Sequence, residues 1–435
     1  MRFRFIHAAD IHLDSPLRGL SSLNLEDDLG DQFRGATRKA FVNLIDFALE
    51  EKVDFVVLAG DLYDGDWKDY STGLFFHKQI ARLGKIMVYV VAGNHDAANK
   101  MTKKLTPPQN MKLFSHKKPQ TFLLEEHKVA LHGQSYPERS VTDNLALKYP
   151  AAKRDYFNIG LLHTSLDGRE GHANYAPCSL DDLCTKGYDY WALGHVHTRE
   201  VVRPSDPAVV FSGCLQGRHI REEGAKGATL VTVEDENIMA LEPKHFDVLR
   251  WFLCRIDLSG SVSPEDLFER LDHGISLTEK ADGRPVMVRI ELVGESTLAA
   301  QLLSHAERWE AEIRSRLEEM SSHLGLSIWV EKIKNETSMP QQQITSAAYD
   351  DALSHLLKAV QSPEYNVDAI PGLQEKITEL RGKLRKKLPR SFYIPNASNM
   401  ESMSIDDESH IADMVIKGKK MLKAVLLEKE NSLED

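Results

Sequence analysis

Cysteine is scarce in this chain: Cys178, Cys184, Cys214 and Cys254 are the only four in 435 residues. None forms a Cys-x-x-Cys pair, and the density is far below that of a disulfide scaffold, so the thiols read as reduced. Long apolar runs are also missing. No stretch approaches the roughly 20 residues that cross a bilayer. Met1–Asp10 lacks the apolar core and small-residue end of a signal peptide. The default expectation is a cytoplasmic protein with no membrane association. Positive charge is short as well: 54 Lys and Arg stand against 65 Asp and Glu, a formal net charge of −11. That balance argues against nucleic-acid binding by the whole surface. It leaves DNA open as a substrate, because phosphate binding is local and bound metal ions add positive charge that the count omits. No internal repeat and no low-complexity tract is present.

What the chain does have is alternation. Short, β-prone apolar runs recur at Phe3–Ala9, Val53–Ala59, Ile86–Ala92, Phe157–Leu162 and Tyr188–Leu193. Amphipathic helical patterns lie between them, at Ala36–Glu50 and Thr72–Leu83. Strand–helix–strand alternation predicts a largely parallel sheet in an α/β layer fold. After Glu200 the pattern turns strand-rich, at Ala208–Ser212, Ala228–Val233 and Trp251–Leu258. From about 248 to 336 it reads strand, helix, strand, long helix, strand. The long helix, Thr297–Ser322, carries Leu298, Leu302, Ala306, Trp309, Ile313, Leu317 and Met320 at spacings of three and four. Residues 335–343 are polar and read as a linker. The remainder is helical with breaks: Leu373, Ile377, Leu380, Leu384 and Leu388 form an apolar stripe along a segment whose basic residues in Arg381–Arg390 could contact DNA or form its solvated face, and Ile411–Glu430 reads as an amphipathic helix. Three regions follow: 1–247, 248–336 as a small α+β unit, and 337–435 as a helical C-terminal region.

Five short motifs end or follow the apolar runs: Asp10-x-His12, Gly60-Asp61, Gly93-Asn94-His95-Asp96, His163 and Gly194-His195-x-His197. Each stands where a strand delivers its last residue to the carboxyl edge of a sheet, the edge at which α/β folds place ligand sites. Singly they say little. With 18 His in the chain, a chance His-x-His is expected roughly 0.7 times. Gly-Asn-His-Asp arises by accident in about one chain in several hundred. Force comes from all five in order, each at a strand end. Every member is an oxygen or imidazole donor suited to a hard or borderline divalent ion. Two ions about 3.5–4 Å apart clamp an in-line displacement at phosphorus. Such a site needs a carboxylate to bridge them, neutral imidazoles to complete the shells, and one further His to meet the leaving oxygen.

This order of motifs resembles the calcineurin-like metallophosphoesterase superfamily. The opening FIHAADIHLDSPL and the later GCLQGRHIREEGAKG resemble bacterial SbcD-type DNA-repair exonucleases, the YhaO-like branch above all. The resemblance implies a four-layer α-β-β-α sandwich, capped by the α+β unit. It implies that Asp10, His12 and His197 bind one metal, that Asn94, His163 and His195 bind a second, and that Asp61 is shared. It implies that His95 is catalytic, serving the leaving alkoxide, with Asp96 orienting it. Family metals are manganese, although the ligand types alone leave iron and zinc open. In GDLYD, Asp64 occupies a place where archaeal and eukaryotic relatives carry histidine and bacterial ones Asp; it reads as a hydrogen-bonding residue.

The implied activity is a metal-dependent DNA exonuclease and single-strand endonuclease acting by a metal-activated hydroxide in DNA repair or end processing. The implied partners are DNA and an SMC-like ABC-type ATPase with a coiled coil (SbcC-type), with a homodimer left open. Residues 97–124 contain no acidic side chain and hold Lys100, Lys103, Lys104, Lys112, Lys117 and Lys118. Lysines beside the metal motifs would neutralise phosphates, although a biased solvated loop gives the same composition. Arg218, His219, Arg221 and Lys226 form a second basic group, interrupted by Glu222 and Glu223, with which some of those charges would pair. The rival to DNA is a small molecule or nucleotide cleaved at the same dinuclear site. A non-enzymatic scaffold is disfavoured because no ligand position is degraded.

Overall fold

The computed structural model describes residues 2–17, 35–64, 70–98, 105–168, 175–275 and 281–340, with 375, 376, 379 and 383 beyond them. The basic leucine-striped segment at 373–390 is described only at those last four residues, and Ile411–Glu430 lies outside the described residues.

Two six-stranded sheets form the body of the first compact unit. One runs β12-β11-β1-β2-β3-β4 and the other β5-β6-β7-β8-β10-β9. In the first, β1 (Arg2–Ala8), β2 (Phe55–Ala59), β3 (Met87–Val91) and β4 (Met111–Leu113) are parallel. Strands β11 (Gly227–Glu234) and β12 (Asn237–His245) extend it antiparallel beside β1. In the second, β6 (Val129–Gly133), β7 (Phe157–His163), β8 (Tyr190–Gly194) and β10 (Ala208–Phe211) are parallel. Its antiparallel edges are β5 (Gln120–Leu124) and β9 (Glu200–Arg203). Every residue of β2, β6, β7, β8 and β10 is buried, as strands covered on both faces must be. The short β4 and the edge strands carry little apolar pattern, and sequence alone does not announce them.

The sheets face each other across a core in which aromatic rings bridge the layers. Phe3 of β1 meets Phe157 of β7 edge-on at 5.5 Å, and Phe5 meets Tyr190 of β8 the same way at 5.4 Å. The outer face of the first sheet is covered by α1 (Ala36–Glu51) and α2 (Tyr70–Arg82). Helix α1 buries Ala40, Phe41, Leu44, Ile45 and Ala48 at three- and four-residue spacing. It stops where Lys52 turns left-handed and its N–H caps the Ala48 carbonyl. The outer face of the second sheet is covered by Tyr136, Leu145, Ala146, Tyr149 and Leu183. The last belongs to α4 (Leu180–Cys184), which follows α3 (Asn94–Ala98) in the chain. The architecture is the four-layer α-β-β-α sandwich.

By compactness the chain divides into two units, one of residues 1–253, 276–289 and 321–332, the other of 254–275, 290–320 and 333–435. A third sheet, β13-β14-β15, is made of Arg250–Asp257, Val286–Val293 and Ile328–Asn335. In the second unit, α5 (Pro264–Gly274) opens on a capping box at Ser263 and Asp266. The long helix expected over Thr297–Ser322 is broken in two, α6 (Ala299–Ser304) and α7 (Ala306–Leu324). The Ser304 hydroxyl donates back to the Ala300 carbonyl at 3.0 Å, a competition with the helical ladder that bends helices. All four cysteines are unpaired.

Candidate metal centre

The strand ends converge. Asp10 and His12 follow β1, Asp61 follows β2, Asn94 follows β3, His163 ends β7 and His195 follows β8. Asp10, His12, Asp61, Asn94, His163 and His195 are buried, and His197 is partly buried. Holding so many polar groups at one edge strains the backbone. Asp10, His12, Asp61 and His195 all have positive φ, at 50°, 44°, 52° and 98°. That region is costly for side-chain-bearing residues and clusters at functional sites. The sheets are tied together here: the His195 N–H donates to the Asp10 carboxylate at 3.0 Å, and His163 Nδ1 donates to the Ala59 carbonyl at 2.9 Å.

Donor atoms gather into two groups that share the Asp61 side of the site. In one, His12 Nε2 and His197 Nε2 are 3.3 Å apart, with Asp10 Oδ1 3.9 Å from His197 Nε2 and Asp61 Oδ2 3.9 Å from His12 Nε2. In the other, His163 Nε2 lies 2.9 Å from Asn94 Oδ1 and 3.4 Å from Asp61 Oδ2. The His195 ring stacks edge-on to His163 at 5.2 Å. His95 stands against the first group, its ring edge-on to His12 at 5.0 Å.

This donor set fits divalent cations. His163 commits its Nδ1 proton to the Ala59 carbonyl, so its Nε2 lone pair faces two oxygens. His197 gives its Nδ1 proton to Glu222 Oε1 at 2.7 Å, so its Nε2 lone pair faces His12 Nε2. Lone pairs converging in an interior repel unless a cation or a proton stands among them. Ligands of one ion at roughly 2.0–2.2 Å also lie near such spacings. The protein's own charges express the same demand. Burial raises the Asp10 carboxyl to about 6, with His197 and His163 pulling the other way. Burial opposes the charge of His163, but the Asp61 carboxylate outweighs it and holds this imidazole up at about 9.

The structure corrects the role expected of Asp96. Its carboxylate does not meet the His95 imidazole; it accepts the backbone N–H groups of Leu62, Tyr63 and Gly93 at 2.9, 3.1 and 2.9 Å. Asp96 lies in the first turn of α3, where its side chain swings back beneath the turn and ties the Asn94–His95 loop to the β2 loop. Burial and the nearby Asp61 raise it to about 7. The carboxylate on His95 is Asp64, whose Oδ1 is 3.0 Å from His95 Nδ1. Asp64 was legible as a hydrogen-bonding residue, three positions after Asp61, but not as this partner. Glu222, read from sequence as a charge partner for the basic group, supports a candidate ligand as well. The expected DNA contact Arg218 is turned inward, its side chain 12% exposed and paired to Glu222. Arg221 is exposed, and Lys100, Lys103 and Lys104 lie outside the described residues.

Residues 3–199 match the calcineurin-like phosphoesterase family, and residues 251–338 match the middle domain of metallophosphoesterase YhaO. Metallophosphoesterase YhaO of Bacillus subtilis is 34% identical over 406 residues, 90% of this chain and 98% of that protein. DNA double-strand break repair protein Mre11 of Sulfurisphaera tokodaii is 26% identical over 279 residues, 59% of this chain and 66% of that protein. Among solved structures, TT1561 of Thermus thermophilus overlays with a TM-score of 0.33 and 13% identity, over 57% of this chain and 100% of that one. Near-complete coverage of a relative at 34% identity, joined to a matching catalytic domain and a matching middle domain, makes this chain a calcineurin-like metallophosphoesterase of the YhaO-like branch.

Proposed function

We propose that this metallophosphoesterase is a nuclease that hydrolyses phosphodiesters of DNA, as an exonuclease and on single strands, in the processing of DNA ends. On this reading Asp10, His12 and His197 hold one metal, Asn94, His163 and His195 a second, and Asp61 is shared by both. When bound, two divalent ions, manganese on our reading, supply Lewis-acid stabilisation of the phosphoryl oxygens and a nucleophilic hydroxide at neutral pH.

The chain's own residues supply the proton. His95 is partly exposed, 27% at the side chain, and its Nδ1 is held by Asp64. That contact leaves Nε2 as the nitrogen to meet the leaving oxygen. Burial lowers the proton affinity of His95, yet Asp64 and Asp61 outweigh it and raise it above the ordinary imidazole value. A protonated His95 gives its Nε2 proton to the departing alkoxide as the P–O bond breaks. Asp96 keeps the loop that carries His95 in register with Asp61, whose Oδ1 accepts the His95 N–H at 3.0 Å.

The observation that carries DNA as the substrate is the basic segment beside this edge. Lys112, Lys117 and Lys118 are exposed on and just after β4, which runs parallel to the strand that delivers Asn94. On this reading cations there neutralise phosphates of a bound strand, and Lys100, Lys103 and Lys104 precede them in the same acid-free stretch. Likeness to a DNA double-strand break repair protein points the same way. Arg221 is a further DNA contact on this reading. We assign 1–247 as the nuclease domain, 248–336 as an α+β domain, and 337–435 as the region that docks an SMC-like ATPase.

The test is purified full-length protein with manganese and end-labelled single- and double-stranded DNA, with and without such an ATPase. Manganese-dependent shortening of the DNA is expected. Cleavage of bis-p-nitrophenyl phosphate or a nucleotide, with every DNA left intact, would replace the nuclease with a small-molecule phosphodiesterase.

A further inference from the structure

We infer that Arg218 is a positioning residue that clamps the candidate ligand His197 and the proposed proton donor His95 at once, rather than a contact for substrate phosphate. This rests on the phosphodiesterase reading of the site but not on DNA as its substrate.

The geometry is a continuous chain of hydrogen bonds. On one arm, Arg218 Nη2 donates to Glu222 Oε1 at 3.0 Å, and the Arg218 backbone N–H donates to Oε2 at 2.7 Å. Arg218 Nε is 3.4 Å from the same Oε2. Glu222 in turn accepts the His197 Nδ1 proton at 2.7 Å, and Arg218 Nη2 lies 3.2 Å from that nitrogen. On the other arm, Arg218 Nη1 donates to Ser15 Oγ at 3.4 Å. Ser15 donates to Asp64 Oδ2 at 2.7 Å, and Asp64 Oδ1 receives His95 Nδ1 at 3.0 Å. Ser15 and Glu222 are 5% and 3% exposed, so neither can exchange these partners for bulk water without opening the site.

A planar guanidinium does this in a way an ammonium cannot. Its donors are fixed in a fork, so two buried acceptors in different directions are held by one rigid group. Its charge also compensates the two carboxylates, Glu222 and Asp64, that each fix a histidine tautomer. The Glu222 arm presents the His197 Nε2 lone pair towards His12. The Ser15–Asp64 arm aims His95. The two arms join stretches far apart in the chain, at Ser15, Asp64 and Arg218.

The arms make separable demands. Replacement of an outer partner of a ligand costs roughly 10- to 100-fold in metal affinity or activity. Glu222→Gln is expected to weaken Mn2+ binding by roughly that factor, measured by titration of Mn2+ alone with paramagnetic resonance. Ser15→Ala is expected to leave Mn2+ binding unchanged and to lower kcat for bis-p-nitrophenyl phosphate about 10-fold with KM unchanged. Arg218→Gln is expected to do both, and Arg218→Lys not to restore either. Normal Mn2+ affinity and normal kcat on the small ester in Arg218→Gln, with a raised KM and a shallower salt dependence for DNA, would make Arg218 a phosphate contact and overturn the clamp. If Arg218→Gln does not fold, the other two variants decide: equal losses of metal affinity and kcat in both, or none in either, would overturn it. Failure of the function itself is distinct, because the wild-type chain would then neither bind Mn2+ nor cleave the small ester.

Discussion

On the proposed mechanism His95 gives up a proton, which needs one ring nitrogen held and the other aimed. His95 has the first condition met by Asp64, 3.0 Å from its Nδ1. A pair of this kind acts as a unit, so loss of either member costs most of what the pair contributes. His95→Asn is expected to lower kcat on bis-p-nitrophenyl phosphate at least about 100-fold, and Asp64→Asn roughly 10- to 100-fold, both with two Mn2+ still bound per chain. Undiminished turnover in His95→Asn, measured under saturating metal, would remove it from the proton-transfer role. Asp96 makes a contrasting case. It is the next residue, equally acidic and buried, yet it serves backbone N–H groups and not the imidazole. Its removal should read out as lost stability as much as lost rate.

Strand ends and the turns after them carry the site, and their glycines are part of it. A Cβ on Gly93 would collide with the Asp61 carboxylate, and one on Gly60, at φ +96°, with His163. Gly93→Ala is therefore expected to displace the Asp61 carboxylate, weaken Mn2+ binding, and cost about 1–3 kcal/mol of stability; calorimetry with a metal titration checks both. An alanine there that bound Mn2+ normally would place Asp61 outside the metal set. Far from the site, Ser263 caps α5 through the Asp266 N–H. Ser263→Ala should cost about 1 kcal/mol, seen as a lower Tm with hydrolysis of the small ester unchanged. The two substitutions separate turns that build chemistry from turns that only end an element.

At the scale of the molecule, two sheets packed on aromatic bridges hold a cluster of charges that the core would otherwise exclude. Phe5 and Phe55 stack at 5.0 Å on the paired strands β1 and β2, whose carboxyl ends lead to Asp10 and Asp61. Hydrophobic burial on this scale supplies the stability against which the left-handed turns and desolvated carboxylates are held. Metal binding should then act as linkage. A ligand of the folded state alone adds about 2.7 kcal/mol at 100 times its Kd. The Tm is expected to climb with Mn2+ concentration and to fall back on chelation. A Tm indifferent to Mn2+ across that range would exclude the metal assignment without touching the fold. The charge of −11 belongs to this scale too: it opposes binding of a polyanion by the surface as a whole.

Much was determined by sequence alone. Period-two and continuous apolar runs state where buried strands lie, because a strand covered on both faces has no alternative composition. Donor residues at the ends of those runs state where the site lies, because the carboxyl edge is where parallel strands release their chain. The β4 and β5 edge strands, too short or too mixed in pattern, were not legible, nor was the break at Ser304 in the long helix. Tertiary structure alone decided which carboxylate meets which imidazole. Asp96 is adjacent to His95 in sequence and turned away from it, whereas Asp64, Ser15, Arg218 and Glu222 are distant and joined. The reason is that neighbours in a turn point in different directions, while residues from different strand ends point at one another once the sheets close.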